Sequence, residues 1–290
     1  MINVQPSGEA CGAFITGVDL SEPLGAATVG EIRSTWMDHH VIAFPDQQLS
    51  DEDLERIVLS FGVFGREPFF VPLDGSEHVV ALTRRADETA PVFAENWHTD
   101  WSFLDIPPIG TCLYSLVVPP VGGDTSFINQ QKALAEMPAE LRAELEGRKA
   151  LHSAKLSYGP DGLYGKGDQG NDRSMKILFG EEANDVFTHP VILSHPESGR
   201  ETLFGCIGYI IGFEGMGEQE GIELAMKLYE WQTREEFQYH HKWQPNMLVM
   251  WDNRSVLHRA NGGYDGYDRE LHRITIAQDT SKFLTPTKAA

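Results

Sequence analysis

The sequence predicts an α+β protein built around a jelly-roll. Helical patterns concentrate near the start of the chain, strand-like runs recur from Phe69 onward, and the chain closes with further strands. Early helices followed by many short strands are typical of α+β proteins with such a core. A length of 290 residues fits one large domain or two small ones. We expect a single domain over residues 1–290.

Two helices are predicted before the β-rich part of the chain. Thr28, with Glu31 three residues later, has the spacing of a capping box and predicts a helix over residues 29–39. Ser50 and Asp53 open the second helix. Its apolar residues recur at helical spacing, at Leu54, Ile57, Val58 and Phe61.

The later elements are mostly strands, with helices predicted over residues 138–146 and about 218–237. The predicted strands cover residues 41–44, 79–83, 110–118, 125–129, 247–250 and 273–277. Residues 159–171 are rich in Gly and Asp and show no apolar periodicity. They are either a mobile surface loop or a lid over an active site, and the sequence leaves both open.

Composition limits the partners that this chain can have. The formal net charge is -20 and the pI about 4.8, so nucleic acid and anionic membranes would be repelled. An anionic substrate would then need a local basic pocket. Three widely spaced cysteines fit neither a disulfide framework nor a zinc knuckle, and favour reduced thiols in the cytoplasm. We expect no signal peptide and no membrane span.

The most informative pattern is the pair His98 and Asp100. On an extended strand, residues two apart face the same side about 7 Å from each other, so both can reach one metal ion. A chance His-x-Asp on a surface strand is the ordinary alternative. Trp97, Trp101 and Phe103 crowd the pair and argue against a solvated edge. A facial triad would need a second histidine.

His258 is the best candidate for that second histidine. It follows an apolar strand over residues 248–251 and a turn over residues 252–254, and it belongs to a second short apolar run. A histidine in such a position is more often structural when it stands alone. Together with His98 and Asp100, it can complete a set of two imidazoles and one carboxylate.

Two arginines near the end of the chain extend the candidate site. Arg269 and Arg273 would lie on the same face of one strand, about 13 Å apart. Both faces of this strand look buried, and a buried guanidinium requires an anionic partner. The partners could be two different anions, or simply nearby acidic side chains.

These residues, in this order, resemble the taurine/2,4-D dioxygenase (TauD/TfdA) family of iron(II)- and 2-oxoglutarate-dependent oxygenases over nearly the whole chain. The motifs are Asn96-Trp97-His98-Thr99-Asp100, Gly122-Gly123-Asp124-Thr125, His195-Pro196-Glu197-Ser198-Gly199-Arg200, Trp251-Asp252-Asn253-Arg254 with His258, and Arg269-Glu270-Leu271-His272-Arg273. Arg84-Arg85-Ala86-Asp87-Glu88 and His152-Ser153-Ala154 look most similar to members that cleave phenoxyalkanoate herbicides.

The resemblance implies a double-stranded β-helix, which is a jelly-roll, with helices flanking it. It also implies Fe(II) as the metal, 2-oxoglutarate as cosubstrate and O2 as oxidant. His98, Asp100 and His258 match the iron ligands of the family. Thr125 and Arg269 match the pair that binds the far carboxylate of 2-oxoglutarate, for which a bidentate guanidinium and a hydroxyl are well suited.

The substrate side is also suggested by the resemblance. Arg273 matches the arginine that holds the substrate's sulfonate or carboxylate, and Tyr209 and Asn96 fall near the substrate. Glu67 departs from the pattern, because taurine dioxygenases carry a histidine there, and taurine is therefore disfavoured. Glu67 could instead meet an ammonium group or point to solvent. Phe70 beside it suggests an apolar wall for an aryl or alkyl tail.

The expected function is hydroxylation of a C–H bond in a small anionic organic acid, with release of succinate and CO2. Where that carbon bears an ether oxygen or a sulfonate, the product would lose the C–O or C–S bond. A homo-oligomer is expected by analogy with the family. Two alternatives remain: a non-catalytic jelly-roll that binds small acids, and a zinc hydrolase with the same ligands.

Overall fold

A computed structural model describes residues 1–170 and 172–279. The helices are α1 (Ala26–His39), α2 (Asp51–Phe61), α3 (Gln130–Ala135), α4 (Ala139–Leu145), α5 (Lys155–Tyr158) and α6 (Glu218–Gln232). The strands are β1 (Asn3–Pro6), β2 (Ala13–Thr16), β3 (Val41–Phe44), β4 (Val63–Phe64), β5 (Val80–Arg84), β6 (Gly110–Val117), β7 (Thr125–Asn129), β8 (Lys149–His152), β9 (Phe187–Pro190), β10 (Ile192–Ser194), β11 (Glu201–Leu203), β12 (Ile210–Phe213), β13 (Gln238–His241), β14 (Leu248–Asp252), β15 (Val256–Ala260) and β16 (Arg269–Ala277).

The largest sheet has the strand order β1-β2-β3-β14-β6-β16-β4, with β5 also paired to β16. All its described pairings are antiparallel except that between β2 and β3. Strand β16 pairs with β6 along most of its length. Its other edge pairs with β5 near Arg269–Arg273 and with β4 at Ile276 and Ala277. Both candidate arginines therefore lie on a strand paired on both sides.

Both faces of this sheet are covered. Leu248 and Met250 of β14 point into a core shared with α1 and α2, whereas Val249 and Trp251 point into a second core with Phe127. This alternation follows from the two-residue period of a strand. Since both faces are apolar, the sheet is fixed in register by the burial of each side chain.

A smaller antiparallel sheet, with the order β13-β7-β15, packs on the second of these cores. In its register, His258 lies opposite Phe127, and Thr125 lies opposite Ala260. Two further small sheets, β12-β8-β9 and β10-β11, complete the β structure of the described residues. The small sheet thus brings a candidate metal ligand and a candidate cosubstrate contact onto adjacent strands.

The structure confirms most of the predicted elements and corrects others. Helix α2 has the predicted capping box at Ser50 and Asp53. Helix α1 begins at Ala26 after Gly25 and has no side-chain cap, so the capping box predicted at Thr28 is wrong. Helix α6 ends at Gln232, and a separate short 3-10 helix follows at Glu235–Phe237. No helix among the described residues is long and apolar enough to cross a bilayer.

Candidate functional site

His98 and His258 are brought together by the main chain. The His98 N–H donates to the His258 carbonyl at 3.0 Å, and the His258 N–H donates back to the His98 carbonyl at 2.8 Å. The strand predicted around His98 is therefore wrong: it is a single bridge, and Asp100 already lies in a turn. Trp101 follows with a φ of 50°, in the left-handed region that is unfavourable for a bulky side chain.

The three predicted metal ligands converge. The Nε2 atoms of His98 and His258 lie 3.8 Å and 3.7 Å from Asp100 Oδ1, and all three ligand atoms lie within 4.8 Å of one another. The carbonyl oxygen of Asn96 accepts from His98 Nδ1 at 2.8 Å. This bond fixes the ring and leaves the Nε2 lone pair available to a metal.

The electrostatics of the site keep all three groups in the state that binds a cation. Burial opposes ionisation of Asp100, but Arg273 and the two histidines outweigh it and hold the pKa of that carboxyl below its ordinary value. Burial lowers the pKa of His98 and of His258, so both imidazoles stay neutral. Metal ligands must be deprotonated, and this set already is. Two imidazoles and a carboxylate suit ferrous iron.

Next to this cluster is a cavity of about 60 Å³ that both histidines line, together with Thr125 and Arg269. The Thr125 hydroxyl oxygen accepts from Trp243 Nε1 at 3.0 Å, which leaves the hydroxyl hydrogen free to donate to a ligand. Gly123 makes room for the arginine, because a Cβ added there would lie 3.3 Å from Arg269 Nε. The arrangement offers two donors at one side of the cavity.

Arg269 is a buried cation that lacks an acidic partner. It is 9% exposed, and no carboxylate of the described residues lies within 4 Å of it. Its guanidinium carbon lies 5.9 Å from the centroid of the Tyr264 ring. Burial lowers the pKa of Arg269. Because an unpaired buried charge is costly, this position points to an anionic ligand.

Arg273, in contrast, is already bound on two sides. Its Nη1 lies 3.1 Å from Asp100 Oδ1, its Nε lies 3.3 Å from Glu67 Oε1, and its Nη2 is buried without a partner among the described residues. The ring centroids of Phe70 and Trp101 lie 5.5 Å and 5.1 Å from its guanidinium carbon. Only one arm of the guanidinium is therefore left for a further anion.

The structure rules out one of the alternatives for Glu67 and shows what surrounds Phe70. The Glu67 side chain is only 7% exposed, so it does not point to solvent. Its second oxygen accepts from Trp101 Nε1 at 2.9 Å, which leaves neither oxygen free of a partner. Burial raises the pKa of Glu67 against the effect of Arg273. Phe70 packs against Arg273 and lines neither cavity beside His98, and its role as a wall for the substrate's tail stays a prediction.

Asn96 and Tyr209 line a second cavity, which also reaches His98. The Tyr209 ring lies edge-on to the His98 ring, with centroids 6.4 Å apart. Leu163 and Tyr164 of the 159–171 segment line the same cavity, and the Tyr164 hydroxyl accepts from the Ala94 N–H at 3.2 Å. The segment therefore covers part of the site, although residue 171 lies outside the described residues.

A buried ionic network that the sequence patterns did not reveal lies at the turn that leads into the strand of His258. Asp252 accepts from Arg254 Nη2 at 2.6 Å and is 3.0 Å from His195 Nε2, and Arg254 Nη1 also donates to Glu197 at 2.8 Å. These residues come from two of the motifs that carried the family resemblance. The signal in the sequence was an acid and an arginine two residues apart in a turn beside a buried strand.

Comparison with known proteins identifies the family. The family model described as "Taurine catabolism dioxygenase TauD, TfdA family" matches residues 3–275. The chain belongs to this family. It is 33% identical to an α-ketoglutarate-dependent 2,4-dichlorophenoxyacetate dioxygenase of Cupriavidus pinatubonensis, over 92% of this chain and 94% of that protein. An alkylsulfatase of Acinetobacter baylyi is 31% identical over 93% of this chain and 83% of its own length.

Solved structures agree with this assignment. A taurine dioxygenase from Burkholderia xenovorans has a TM-score of 0.78 and 29% identity, with 96% of this chain and 90% of that chain covered. This TauD/TfdA protein is an iron(II)- and 2-oxoglutarate-dependent dioxygenase, as its motifs predicted. Neither a non-catalytic binding protein nor a zinc hydrolase is among the relatives named above.

Proposed function

We propose that His98, Asp100 and His258 hold the iron, and that Thr125 and Arg269 bind the far carboxylate of 2-oxoglutarate. The observation that carries this assignment is the unpaired, buried Arg269, in a cavity whose lining also includes two of the three ligands. A dianion that binds the metal at one end and a guanidinium at the other would satisfy both groups. No acidic side chain of the described residues lies within 4 Å of Arg269 to compete with it.

When bound, ferrous iron and 2-oxoglutarate supply the oxidising chemistry, in which O2 is consumed, succinate and CO2 are released, and a C–H bond is hydroxylated. The protein's own residues bind, orient and exclude water. Asn96 fixes the ring of His98, and Thr111 donates to Asp100 Oδ2 at 2.6 Å. The Thr111 hydroxyl thus holds Oδ2, while Oδ1 faces both imidazoles and accepts from Arg273 Nη1 at 3.1 Å.

We propose that the substrate is a small organic anion held by the free Nη2 of Arg273. The names of the two relatives, a dichlorophenoxyacetate dioxygenase and an alkylsulfatase, support an anionic group on an organic tail. Taurine fits less well, because Glu67 stands where taurine dioxygenases carry a histidine that helps to hold the sulfonate, and its carboxylate is already paired with Arg273. Hydroxylation next to an ether or ester oxygen would then cleave that C–O bond.

We also propose that residues 1–290 form one catalytic domain whose two facing sheets make a double-stranded β-helix. The core between β14 and the β13-β7-β15 sheet supports this fold. A cytoplasmic location is supported by three buried free cysteines. We propose a homo-oligomer by analogy with the family. The acidic net charge supports the absence of a nucleic-acid or membrane partner. Light scattering of the purified protein would test the assembly.

The ligand assignment can be tested with anaerobic protein loaded with Fe(II) and 2-oxoglutarate. We expect a weak visible charge-transfer band, and we expect Asp100→Ala and His258→Ala to lose both this band and substrate-dependent succinate formation. His78→Ala is the control, because that ring stacks on Phe64, away from the site. Retention of the band and of turnover by the Asp100 and His258 variants would refute the assignment.

A further inference from the structure

The second cavity beside His98 differs from the first in its chemistry. It has a volume of about 270 Å³ and shares Phe93, Ala94 and His98 with the first cavity. Four arginines and one glutamate line the first cavity, whereas no Asp, Glu, Lys or Arg of the described residues lines the second. The candidate metal site thus lies where a charged space and an uncharged space meet.

We propose that the second cavity binds the apolar tail of the substrate and that the substrate is an amphiphile with an anionic head and an extended hydrocarbon tail. This proposal rests on the proposed function, in which Arg273 holds the head. The cavity wall beside His98 includes the buried rings of Tyr158 and Tyr209. An ammonium or a second carboxylate on the tail would have to be buried there without a partner, at a large cost.

Other parts of the wall are exposed and apolar, which indicates where the tail leaves the protein. Leu156 and Leu163 are 57% and 55% exposed, and both line the cavity together with Tyr229 of α6. The Leu163 N–H donates to the Leu156 carbonyl at 2.9 Å, so the two side chains are carried by paired segments. Neighbouring exposed leucines at the edge of a cavity are typical of a site that receives an apolar ligand.

This geometry predicts how affinity depends on tail length. Each methylene that enters the uncharged cavity should improve binding by about fourfold. The gain should stop once the tail passes Leu156 and Leu163 and enters solvent. A terminal amine on a tail short enough to stay inside the cavity should remove most of the gain. The anionic head contributes equally throughout such a series, so the change in affinity per added methylene reports on the cavity alone.

The test uses the full chain with Fe(II) and 2-oxoglutarate and a series of n-alkyl sulfates from ethyl to octyl, with ω-amino analogues. Anaerobic calorimetry gives the Kd of each compound, and succinate release in air gives turnover. A Kd that falls with tail length and then levels off supports the proposal. A Kd that does not change with tail length overturns it. Failure of the proposed reaction would give a different result, in which the Kd depends on tail length but no succinate is released in air.

Two variants locate the tail. Leu156→Asp and Leu163→Asp place a charge in the path of a long tail, and each should lower the preference for octyl over ethyl sulfate by about tenfold. Ile106→Asp is the matched control, because Ile106 is 64% exposed and lines neither cavity beside His98. The proposal fails if the leucine variants keep the preference, or if the control loses it to the same extent. Circular dichroism checks that all three variants fold.

Discussion

Replacing Arg269 by methionine should weaken cosubstrate binding without lowering the free energy of unfolding. Arg269 is 9% exposed, and its guanidinium has no carboxylate within 4 Å among the described residues. Its removal therefore breaks no ion pair in the free protein. We expect Arg269→Met to leave the free energy of unfolding unchanged or to raise it by about 1–3 kcal/mol, because an uncompensated buried charge disappears.

The same substitution should strongly weaken 2-oxoglutarate binding. Truncating one partner of a buried, hydrogen-bonded charge pair costs about 2–5 kcal/mol, which corresponds to a rise in Kd of about 30-fold to several thousand-fold. Arg269→Lys should recover part of this loss, since it keeps the charge but not the planar fork of donors. Anaerobic titration of the iron-loaded protein, followed through its visible band, gives the Kd directly.

Arg254→Met is the matched control for stability. Its side chain is 10% exposed, similar to Arg269, but it pairs with Asp252 and Glu197. Its loss should cost about 3–5 kcal/mol, because the buried Asp252 loses its cation, whereas Glu197 keeps its pair with Arg33. Urea denaturation of the metal-free proteins compares the two variants. If Arg269→Met destabilises the protein as much as Arg254→Met, or leaves the Kd of 2-oxoglutarate unchanged, the inference from the unpaired guanidinium is wrong.

Three further results are expected. Arg273→Ala should raise the KM of the anionic substrate by at least about tenfold more than that of 2-oxoglutarate, and equal effects would contradict the separate roles of the arginines. Glu67→Gln removes a negative charge 3.3 Å from Arg273 Nε and should lower that substrate KM by about threefold; a higher KM would contradict this. Burial lowers the pKa of His40 to about 4 and those of His152 and His241 to about 3. As pH drops below about 6.5, these histidines take up protons in the unfolded chain before they do so in the folded protein. The free energy of unfolding, measured by urea denaturation, should therefore fall by about 1.4 kcal/mol per pH unit for each of the three histidines. A free energy of unfolding that does not change with pH would contradict this.

Local patterns predicted the secondary structure where the physical signal was strong. Helix α2 has a capping box and an apolar stripe, and the structure shows both. Helix α1 starts after Gly25, which caps only through its backbone, and a nearby Thr28 drew the prediction one turn too late. The C-terminal end of α6 was also misplaced, because apolar residues up to Phe237 continue the pattern into a separate turn.

The chemistry of the site was predictable, but the surroundings of Arg273 were not. The metal and cosubstrate residues lie in short motifs of unusual composition, and the family resemblance predicts a role for each of them. Glu67 pairs with a residue 206 positions away, from a loop without periodicity. Its partner depends on how that loop folds over β16, which no local pattern encodes. The same reason explains why the packing of Phe70 against Arg273 could not be predicted from the sequence.

The turn between β14 and β15 explains how the candidate ligands can be held in place by the protein itself. Asn253 in this turn accepts through its carbonyl from Thr99 Oγ1 at 2.7 Å. Its side chain donates to Thr111 Oγ1 at 3.0 Å, and Thr111 in turn donates to Asp100 at 2.6 Å. The same turn leads directly into the strand that carries His258. One turn therefore fixes both the carboxylate and the distant imidazole, so the geometry of the triad is set by hydrogen bonds within the fold.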